Sequence, residues 1–292
     1  MHNQYHGISH QQTIDTNALT VHRRDSSAWP HNECNTARVT LVTGTASAWF
    51  SVPRPQPSAE FTLYCFPYAG SGASCFFQWA RAFEAHGIEV RSVQLPAREN
   101  RLRDAPLTSI DAIVTALVGL LDESSRRPFG FFGHSMGATV AFELALACQR
   151  DARRGPKFLV ASGASAPQLT ITSDPLHELD DQQFIQAVSE RYGGIPAAVL
   201  ENEELLSLIL PALRADMRAI ETYQFSGGQS LKCPLYIYGG TEDVQVSESD
   251  IDAWQEVNPP QFTKQLLSGD HFFINDHRDL LVELITGAFR AS

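Results

Sequence analysis

The chain has 292 residues, of which 43% are hydrophobic and 19% are charged, and its formal net charge is -11. This composition is ordinary for a globular enzyme, and the length fits one α/β domain that carries an insertion. An acidic chain without a dominant basic face argues against nucleic-acid binding. No apolar run is long enough to span a bilayer, so we expect no membrane partner either.

The five cysteines are odd in number and show no paired spacing. This pattern is typical of a reducing compartment. The N-terminus has no basic start followed by an apolar stretch and does not resemble a signal peptide. We therefore expect a cytoplasmic protein. There is no C-x-x-C or other zinc-binding pattern, so we expect no metal.

Residues 1–47 are polar and show no clear period. We expect a disordered N-terminal extension, followed by one domain over residues 48–292. Within the extension only Val39–Val42 favours an edge strand. Prolines at positions 53, 55 and 57 then predict a stiff linker.

The first firm strand is predicted at Phe61–Phe66, and it leads into a glycine-rich turn at 67–73. The turn lacks the lysine and the spacing of a Walker A loop, so we reject nucleotide binding. Its glycines are better suited to bring the backbone close to a bound acyl group and to direct an N–H towards it. A helix at about 75–86 and a strand at Ile88–Leu95 follow.

The middle of the chain contains Gly133-His134-Ser135-Met136-Gly137, between an apolar run and a helical pattern. This matches the G-x-S-x-G nucleophile elbow of α/β-hydrolases, in which a strand turns at once into a helix and presents the serine. The flanking glycines are needed because side chains there would clash. The neighbouring predictions are a helix at 109–123, a strand from Phe129 and a helix at 138–147.

The alternation of strands and helices breaks after a strand predicted at Lys157–Gly163. From about 167 to 228 the pattern predicts only helices, at 180–191, 202–209 and 211–223. This helical insertion is a candidate lid over the site. The alternative is an additional packing layer.

The sheet resumes with strands predicted at Pro234–Tyr238 and Phe262–Leu267. A helix near 249–255 separates these strands, and a last helix spans 279–289. The whole order predicts an α/β-hydrolase fold: a mostly parallel sheet covered by helices on both faces, with a helical lid insertion.

A serine nucleophile needs a base and an orienting acid. In α/β-hydrolases they follow in the order Ser, acid, His, each after a strand, and the carboxyl ends of parallel strands converge. Asp243 and His271 satisfy order and placement, so we predict Ser135, Asp243 and His271 as the catalytic residues. Glu242 is the second candidate for the acid. Asp270 is disfavoured because it would have to fold back on the adjacent histidine.

Two backbone N–H groups complete the predicted site. One belongs to Met136, directly after the nucleophile, and the other to the loop after the first strand, where Ala69 is favoured. We predict that these two groups form the oxyanion hole.

Six stretches, found in order between about residues 48 and 290, make the chain resemble the type II thioesterases. These are the free-standing editing thioesterases of polyketide and nonribosomal peptide assembly lines. The stretches are Cys65–Gly70, Gln94–Arg101, Gly133–Gly137, Leu210–Asp216, Gly239–Gly240 with Asp243, and Gly269–Phe273. The chain departs from the family at Tyr68, where His is usual, and at Ala97, where Gly is usual.

The resemblance implies hydrolysis of acyl groups from the phosphopantetheine arm of acyl or peptidyl carrier proteins. It implies no cofactor on the enzyme, because the substrate carries the phosphopantetheine. We expect a monomer. A chain-releasing thioesterase or an esterase of the same fold is an alternative, but a chain with its own Met1 and a long helical insertion favours the editing type. A non-catalytic binding protein is disfavoured because it would usually lack a triad member.

Carrier proteins are typically acidic, so an acidic enzyme needs a local basic patch to bind them. Four arginines lie in residues 91–103 with a single acidic residue, and this stretch leaves the carboxyl end of a predicted strand. We predict that Arg101 and Arg103 bind the phosphate or acidic carrier side chains. For Arg98 and Glu99 a structural role in bracing the loop is equally open.

Overall fold

A computed structural model describes residues 46–124, 127–151, 153–169 and 174–292. The predicted edge strand at Val39–Val42 and most of the predicted extension lie outside these residues. The strands are β1 (Phe50–Ser51), β2 (Phe61–Phe66), β3 (Ile88–Val93), β4 (Phe129–His134), β5 (Leu159–Ser162), β6 (Leu235–Gly240) and β7 (Phe262–Leu267).

Nine α-helices occur in the same described ranges. They are α1 (Ala46–Trp49), α2 (Phe77–Glu84), α3 (Ile110–Ser124), α4 (Met136–Arg150), α5 (Asp181–Tyr192), α6 (Ala197–Leu200), α7 (Glu203–Glu221), α8 (Glu248–Asp252) and α9 (Arg278–Ala291). None of these helices combines the length and the apolar character that a membrane span requires.

The strands form one sheet in the order β1-β3-β2-β4-β5-β6-β7. Only β1 runs antiparallel to its neighbour; the other five pairings are parallel. The carboxyl ends of β2, β4, β6 and β7 therefore lie at one edge, where the loops that follow them can meet.

The sheet is covered on both faces because successive side chains of a strand point to opposite sides. On β4, Phe129 and Phe131 pack in the cluster that contains the apolar side chains of α3 and α4. Phe132 points the other way, into the cluster formed with α2 and α9. The predicted mostly parallel sheet with helices on both faces is confirmed.

The N-terminal edge of the sheet differs from the prediction. Residues 46–51 form α1 and β1, and Trp49 is completely buried. Phe50 stacks edge-on against Tyr64 of β2, with ring centroids 5.1 Å apart. The short strand was missed because two residues carry no alternation pattern.

The insertion between β5 and β6 contains helices and no strand within residues 167–169 and 174–228, as predicted. The predicted break at Pro211 is wrong, because Pro211 lies inside α7, a helix of 19 residues. Proline removes one helical hydrogen bond and crowds the carbonyl four residues earlier. Pro211 is exposed, so water can solvate that carbonyl, while buried residues on the opposite face of α7 stabilise the helix.

Candidate active site

The turn between β4 and α4 holds Ser135 in a strained conformation, with φ 53° and ψ -123°. Its N–H donates to the carbonyl of Ser162 at 2.8 Å, and its own carbonyl accepts from Ala138 at 2.9 Å in the first turn of α4. Positive φ is uncommon for a residue with a Cβ and marks sites where the surroundings impose it. The side chain is thereby presented at the N-terminus of a helix.

The glycines on either side of this turn are required by close backbone contacts. A Cβ on Gly133 would lie 2.2 Å from the carbonyl oxygen of Gly137, and a Cβ on Gly137 would lie 2.1 Å from that of Phe66. Both distances are far inside van der Waals contact. The steric argument made from the sequence motif is thus visible in the structure.

Ser135, His271 and Asp243 lie in one hydrogen-bonded line. The hydroxyl of Ser135 is 3.0 Å from Nε2 of His271, and Nδ1 of His271 is 2.8 Å from Oδ2 of Asp243. The other oxygen of Asp243 accepts the N–H groups of Gln245 and Val246, so the carboxylate is fixed in place. The arrangement orients the imidazole with an unprotonated nitrogen facing the hydroxyl.

Backbone hydrogen bonds between two loops bring the acid to the histidine. The loop after β6 donates from Thr241 to Leu267 at 2.8 Å and from Glu242 to Gly269 at 2.9 Å. These bonds join it to the loop after β7, which carries His271. The meeting of Asp243 and His271 therefore follows from the adjacency of two parallel strands.

The competing acids do not contact the histidine. Glu242 is exposed. Asp270 turns its carboxylate to the N–H of Phe272 at 2.8 Å. Of the three carboxylates weighed from the sequence, the structure brings only Asp243 to His271.

Ala69 and Met136 both border the same cavity as Ser135 and His271. Within the described residues, neither backbone N–H has a hydrogen-bond acceptor. The N–H of Met136 lies at the start of α4, where the helix dipole favours negative charge. The two groups predicted for the oxyanion hole are thus free to donate to a ligand atom beside Ser135.

The cavity beside Ser135 has a volume of about 300 Å³, and we call it the apolar cavity. The helical insertion forms most of its wall, and Tyr68 and Phe272 contribute aromatic rings. The insertion residues that line it are Val188, Tyr192, Gly194, Ile195, Pro196, Val199, Ile209, Leu213, Met217 and Ile220. The insertion therefore forms one wall of the cavity beside the nucleophile, a position that both a lid and an additional packing layer would have.

A second, more polar cleft also reaches Ser135 and His271, with a volume of about 390 Å³. Its walls include Thr139, Arg191 and Gln245. Tyr192 lines both spaces, and its ring is 5.6 Å from that of His271. A substrate with one apolar and one polar arm can thus place one arm in each space, since both reach Ser135.

His134 directly precedes the nucleophile in the G-x-S-x-G motif. The structure buries it completely, with Nδ1 3.1 Å from the hydroxyl of Ser162 and its ring 5.2 Å from that of His271. Burial lowers the pKa of His134 well below its ordinary value, and the charge of His271 acts in the same direction. The ring therefore supports His271 as a neutral group.

The docking role predicted for Arg101 is not compatible with its surroundings. Its guanidinium donates to Asp104 at 2.8 Å and to the carbonyl of Gln94 at 3.0 Å, and lies 4.2 Å from the ring centroid of Trp49. Only 5% of the side chain is exposed. Arg101 therefore packs the N-terminal helix against the loop, whereas Arg103 is exposed.

Arg98 and Glu99 brace the loop. Arg98 forms a buried ion pair with Asp216, and Glu99 accepts from both the N–H and the hydroxyl of Ser74. Ala97 has φ 66°, a left-handed conformation that glycine, the usual residue there, would adopt without strain.

Within the described residues no group of three or more His, Cys, Asp or Glu side chains is placed to hold a metal ion.

Comparison with known proteins agrees with this geometry. The family model described as a thioesterase domain matches residues 61–289. Gramicidin S biosynthesis protein GrsT of Aneurinibacillus migulanus is 37% identical over 242 residues, which are 83% of this chain and 94% of that protein. Thioesterase PikA5 of Streptomyces venezuelae is 34% identical over 232 residues, or 78% of this chain and 80% of that protein.

Solved structures give the same answer. The type II thioesterase BorB from the borrelidin biosynthetic cluster aligns with a TM-score of 0.76 and 33% identity, covering 84% of this chain and 99% of that one. YbtT, a type II thioesterase from the yersiniabactin pathway, aligns with a TM-score of 0.72 and 29% identity, covering 84% and 99%. The chain therefore belongs to the thioesterase family, among the type II thioesterases of polyketide and nonribosomal peptide pathways.

Proposed function

We propose that this thioesterase hydrolyses acyl groups from the phosphopantetheine arm of acyl or peptidyl carrier proteins, as an editing enzyme. The observation that carries the proposal is the hydrogen-bonded line from Asp243 through His271 to Ser135, which opens on the apolar cavity. An apolar chamber beside a nucleophile suits an acyl chain. The more polar cleft, which also reaches Ser135, suits the amide-containing pantetheine arm.

The first half-reaction transfers the acyl group to the enzyme. The Oγ of Ser135 attacks the thioester carbonyl carbon while Nε2 of His271 takes the hydroxyl proton, and Asp243 stabilises the resulting imidazolium. The backbone N–H groups of Met136 and Ala69 donate to the oxyanion. Collapse of this intermediate breaks the carbon–sulfur bond, and the imidazolium of His271 gives its proton to the departing sulfur, which leaves Nε2 free again. Because a thiol has a pKa of about 8.5, its sulfur needs less protonation to leave than an amine nitrogen would.

The second half-reaction releases the acyl group. Nε2 of His271 takes a proton from a water molecule, whose oxygen attacks the ester carbonyl carbon of the acyl-enzyme. The same two N–H groups hold the second oxyanion. Collapse returns the proton to the Oγ of Ser135 and frees a carboxylic acid. These steps use protein groups and water, and the phosphopantetheine comes with the substrate.

Chain release within a synthase is the second candidate. Phenyloxazoline synthase MbtB of Mycobacterium tuberculosis is 31% identical over 225 residues, which make up 16% of that protein. A related domain thus occurs inside a much longer chain. The products separate the two roles: an editing enzyme frees short acids from many carriers, whereas a releasing enzyme acts on the finished chain.

The direct test is Ser135→Ala assayed on an acyl-carrier protein. Loss of the nucleophile should reduce turnover by at least about three orders of magnitude with an unchanged melting temperature. A serine-reactive fluorophosphonate should label the wild type and not the variant. A folded variant with wild-type turnover would overturn the assignment.

A further inference from the structure

The buried carboxylate of Asp216 connects α7 to the loop that carries Ala69. One oxygen, Oδ2, accepts the backbone N–H of Gly70 at 2.7 Å and Nη1 of Arg98 at 2.5 Å. The other, Oδ1, accepts Nη2 of Arg98 at 2.9 Å. The side chain is 0% exposed. A helix of the insertion thus holds a main-chain group directly beside the proposed oxyanion donor.

Arg98 extends the same connection by one residue. Besides its two bonds to Asp216, its guanidinium donates to the carbonyl of Ser71 at 3.0 Å and to that of Pro96 at 3.2 Å. The loop 67–72 is therefore held at the N–H of Gly70 and at the carbonyl of Ser71. Buried pairs of this kind contribute little net stability but fix geometry when all their hydrogen bonds are satisfied.

Packing holds the loop at the same place. Gly70 has φ 77°, and a Cβ on it would lie 2.7 Å from Cδ1 of Leu213. Leu213 precedes Asp216 by three residues, so both side chains lie on one face of α7. The peptide that joins Ala69 to Gly70 therefore lies next to Leu213 of α7, and its N–H donates to Asp216 of the same helix. Its orientation cannot change without moving the helix or breaking the bond.

The face of α7 that reaches this loop also contributes to the apolar cavity. Leu213 and Met217, on either side of Asp216, line that cavity together with Ile209 and Ile220. An acyl chain in the cavity would therefore contact the helix that holds the loop. Three of the six family-like stretches, Cys65–Gly70, Gln94–Arg101 and Leu210–Asp216, meet in this one arrangement.

We propose that Asp216 is a positioning residue: its hydrogen bond to the N–H of Gly70, braced by Arg98, aims the N–H of Ala69 at the oxyanion. The inference rests on the proposed function, in which Ala69 is one of the two donors. On this proposal, the same helix, α7, lines the acyl pocket and positions the oxyanion hole. Asp216 touches no reacting atom, so its effect is on the transition state through the loop.

Asp216→Asn tests the proposal, and the chain offers a matched control. Glu221 lies on the same helix, its side chain is 4% exposed, and it accepts the backbone N–H groups of Leu176 and His177. Glu221→Gln is the same carboxylate-to-amide change, away from the loop. Both variants are assayed on acetyl-N-acetylcysteamine, and the inhibition constant of an alkyl trifluoromethyl ketone, whose serine adduct carries an oxyanion, is measured.

We expect Asp216→Asn to lower kcat by about 10- to 100-fold, less than the loss of an entire oxyanion donor, with KM within about twofold. The inhibition constant should rise by a similar factor. Glu221→Gln should keep kcat and the inhibition constant within about twofold, even if both variants lose similar thermal stability. A change in kcat and in the inhibition constant for Asp216→Asn but not for Glu221→Gln distinguishes a positioning role from a general loss of structure.

Arg98→Met with Asp216→Leu provides a second variant, in which no buried charge is left without a partner. It should show the same loss of kcat. The proposal is overturned if a folded variant has the kcat of Glu221→Gln, if the loss lies in KM alone, or if the inhibition constant does not move. It is also overturned if neither variant folds, because the pair is then structural. Ser135→Ala, assayed in parallel, reports separately on the proposed function.

Discussion

The carboxylate of Asp243 lies 2.8 Å from Nδ1 of His271, and its side chain is 1% exposed, whereas the adjacent Glu242 is exposed. Asp243→Asn should therefore lower kcat by about 10³- to 10⁴-fold, because an amide favours the wrong tautomer of the imidazole. Glu242→Gln should change kcat by less than about twofold, since it contacts no group of the site. Steady-state kinetics on one acyl thioester compare the two. The reverse order would mean that the orienting acid is Glu242.

Acid sensitivity of the fold should depend on His134. Burial lowers the pKa of His134 in the native state, so the unfolded chain binds a proton that the native protein does not. The free energy of unfolding should then fall as the pH drops below about 6.5, by about 1.4 kcal/mol per pH unit.

His134→Asn removes this titration while an amide nitrogen replaces Nδ1 beside Ser162. Urea denaturation between pH 7 and pH 5 should give a shallower pH dependence for the variant than for the wild type. Parallel curves would show that His134 is not the group responsible.

Substitution of Arg103 should affect carrier binding, whereas substitution of Arg101 should affect stability. Arg103→Ala should raise KM for an acyl-carrier protein and leave KM for an acyl-N-acetylcysteamine unchanged, because only the carrier presents acidic groups. Added salt should weaken the carrier reaction of the wild type in the same way. If both substrates suffer equally, docking involves another surface.

Arg101→Ala should act on stability instead. It removes a buried hydrogen bond to the carbonyl of Gln94 and the contact with the ring of Trp49. We expect a loss of about 2–4 kcal/mol in the free energy of unfolding. A wild-type unfolding curve would contradict the packing role.

Chain-length preference should follow the volume of the apolar cavity. Ile209 on α7 lines it, whereas the neighbouring Leu208 is 47% exposed and does not. Ile209→Trp should lower kcat/KM for long acyl chains by at least about tenfold and spare acetyl and propionyl groups, since an added indole overfills the space. Leu208→Trp is the matched control and should leave the profile unchanged. Equal losses on all chain lengths would assign the acyl group to another space.

Sequence patterns predicted the elements that carry strong local signals. The bounds predicted for the strands Phe61–Phe66 and Phe262–Leu267 match the structure, because turn-forming residues follow each strand directly, Pro67 in one case and Ser268-Gly269 in the other. The acid and the histidine also came from local order, since each follows a strand. Only the sheet topology, with β6 beside β7, makes their contact inevitable.

What the sequence left open depends on distant partners. Counting charges in residues 91–103 made Arg101 look available, but Trp49, which covers it, lies outside that window. Arg98 and Asp216 are 118 residues apart, and the local sequence around each of them does not indicate that they form an ion pair. The prediction of a helix break at Pro211 is wrong for a similar reason: the packing of α7 against distant residues outweighs the local propensity of proline.

The contact between Gly137 and the carbonyl of Phe66 joins α4 to β2 through main-chain atoms. The spacing between the nucleophile turn and the end of β2 is therefore set at this point by main-chain atoms and not by a side chain. Replacement of either elbow glycine by a larger residue would force these main-chain atoms apart.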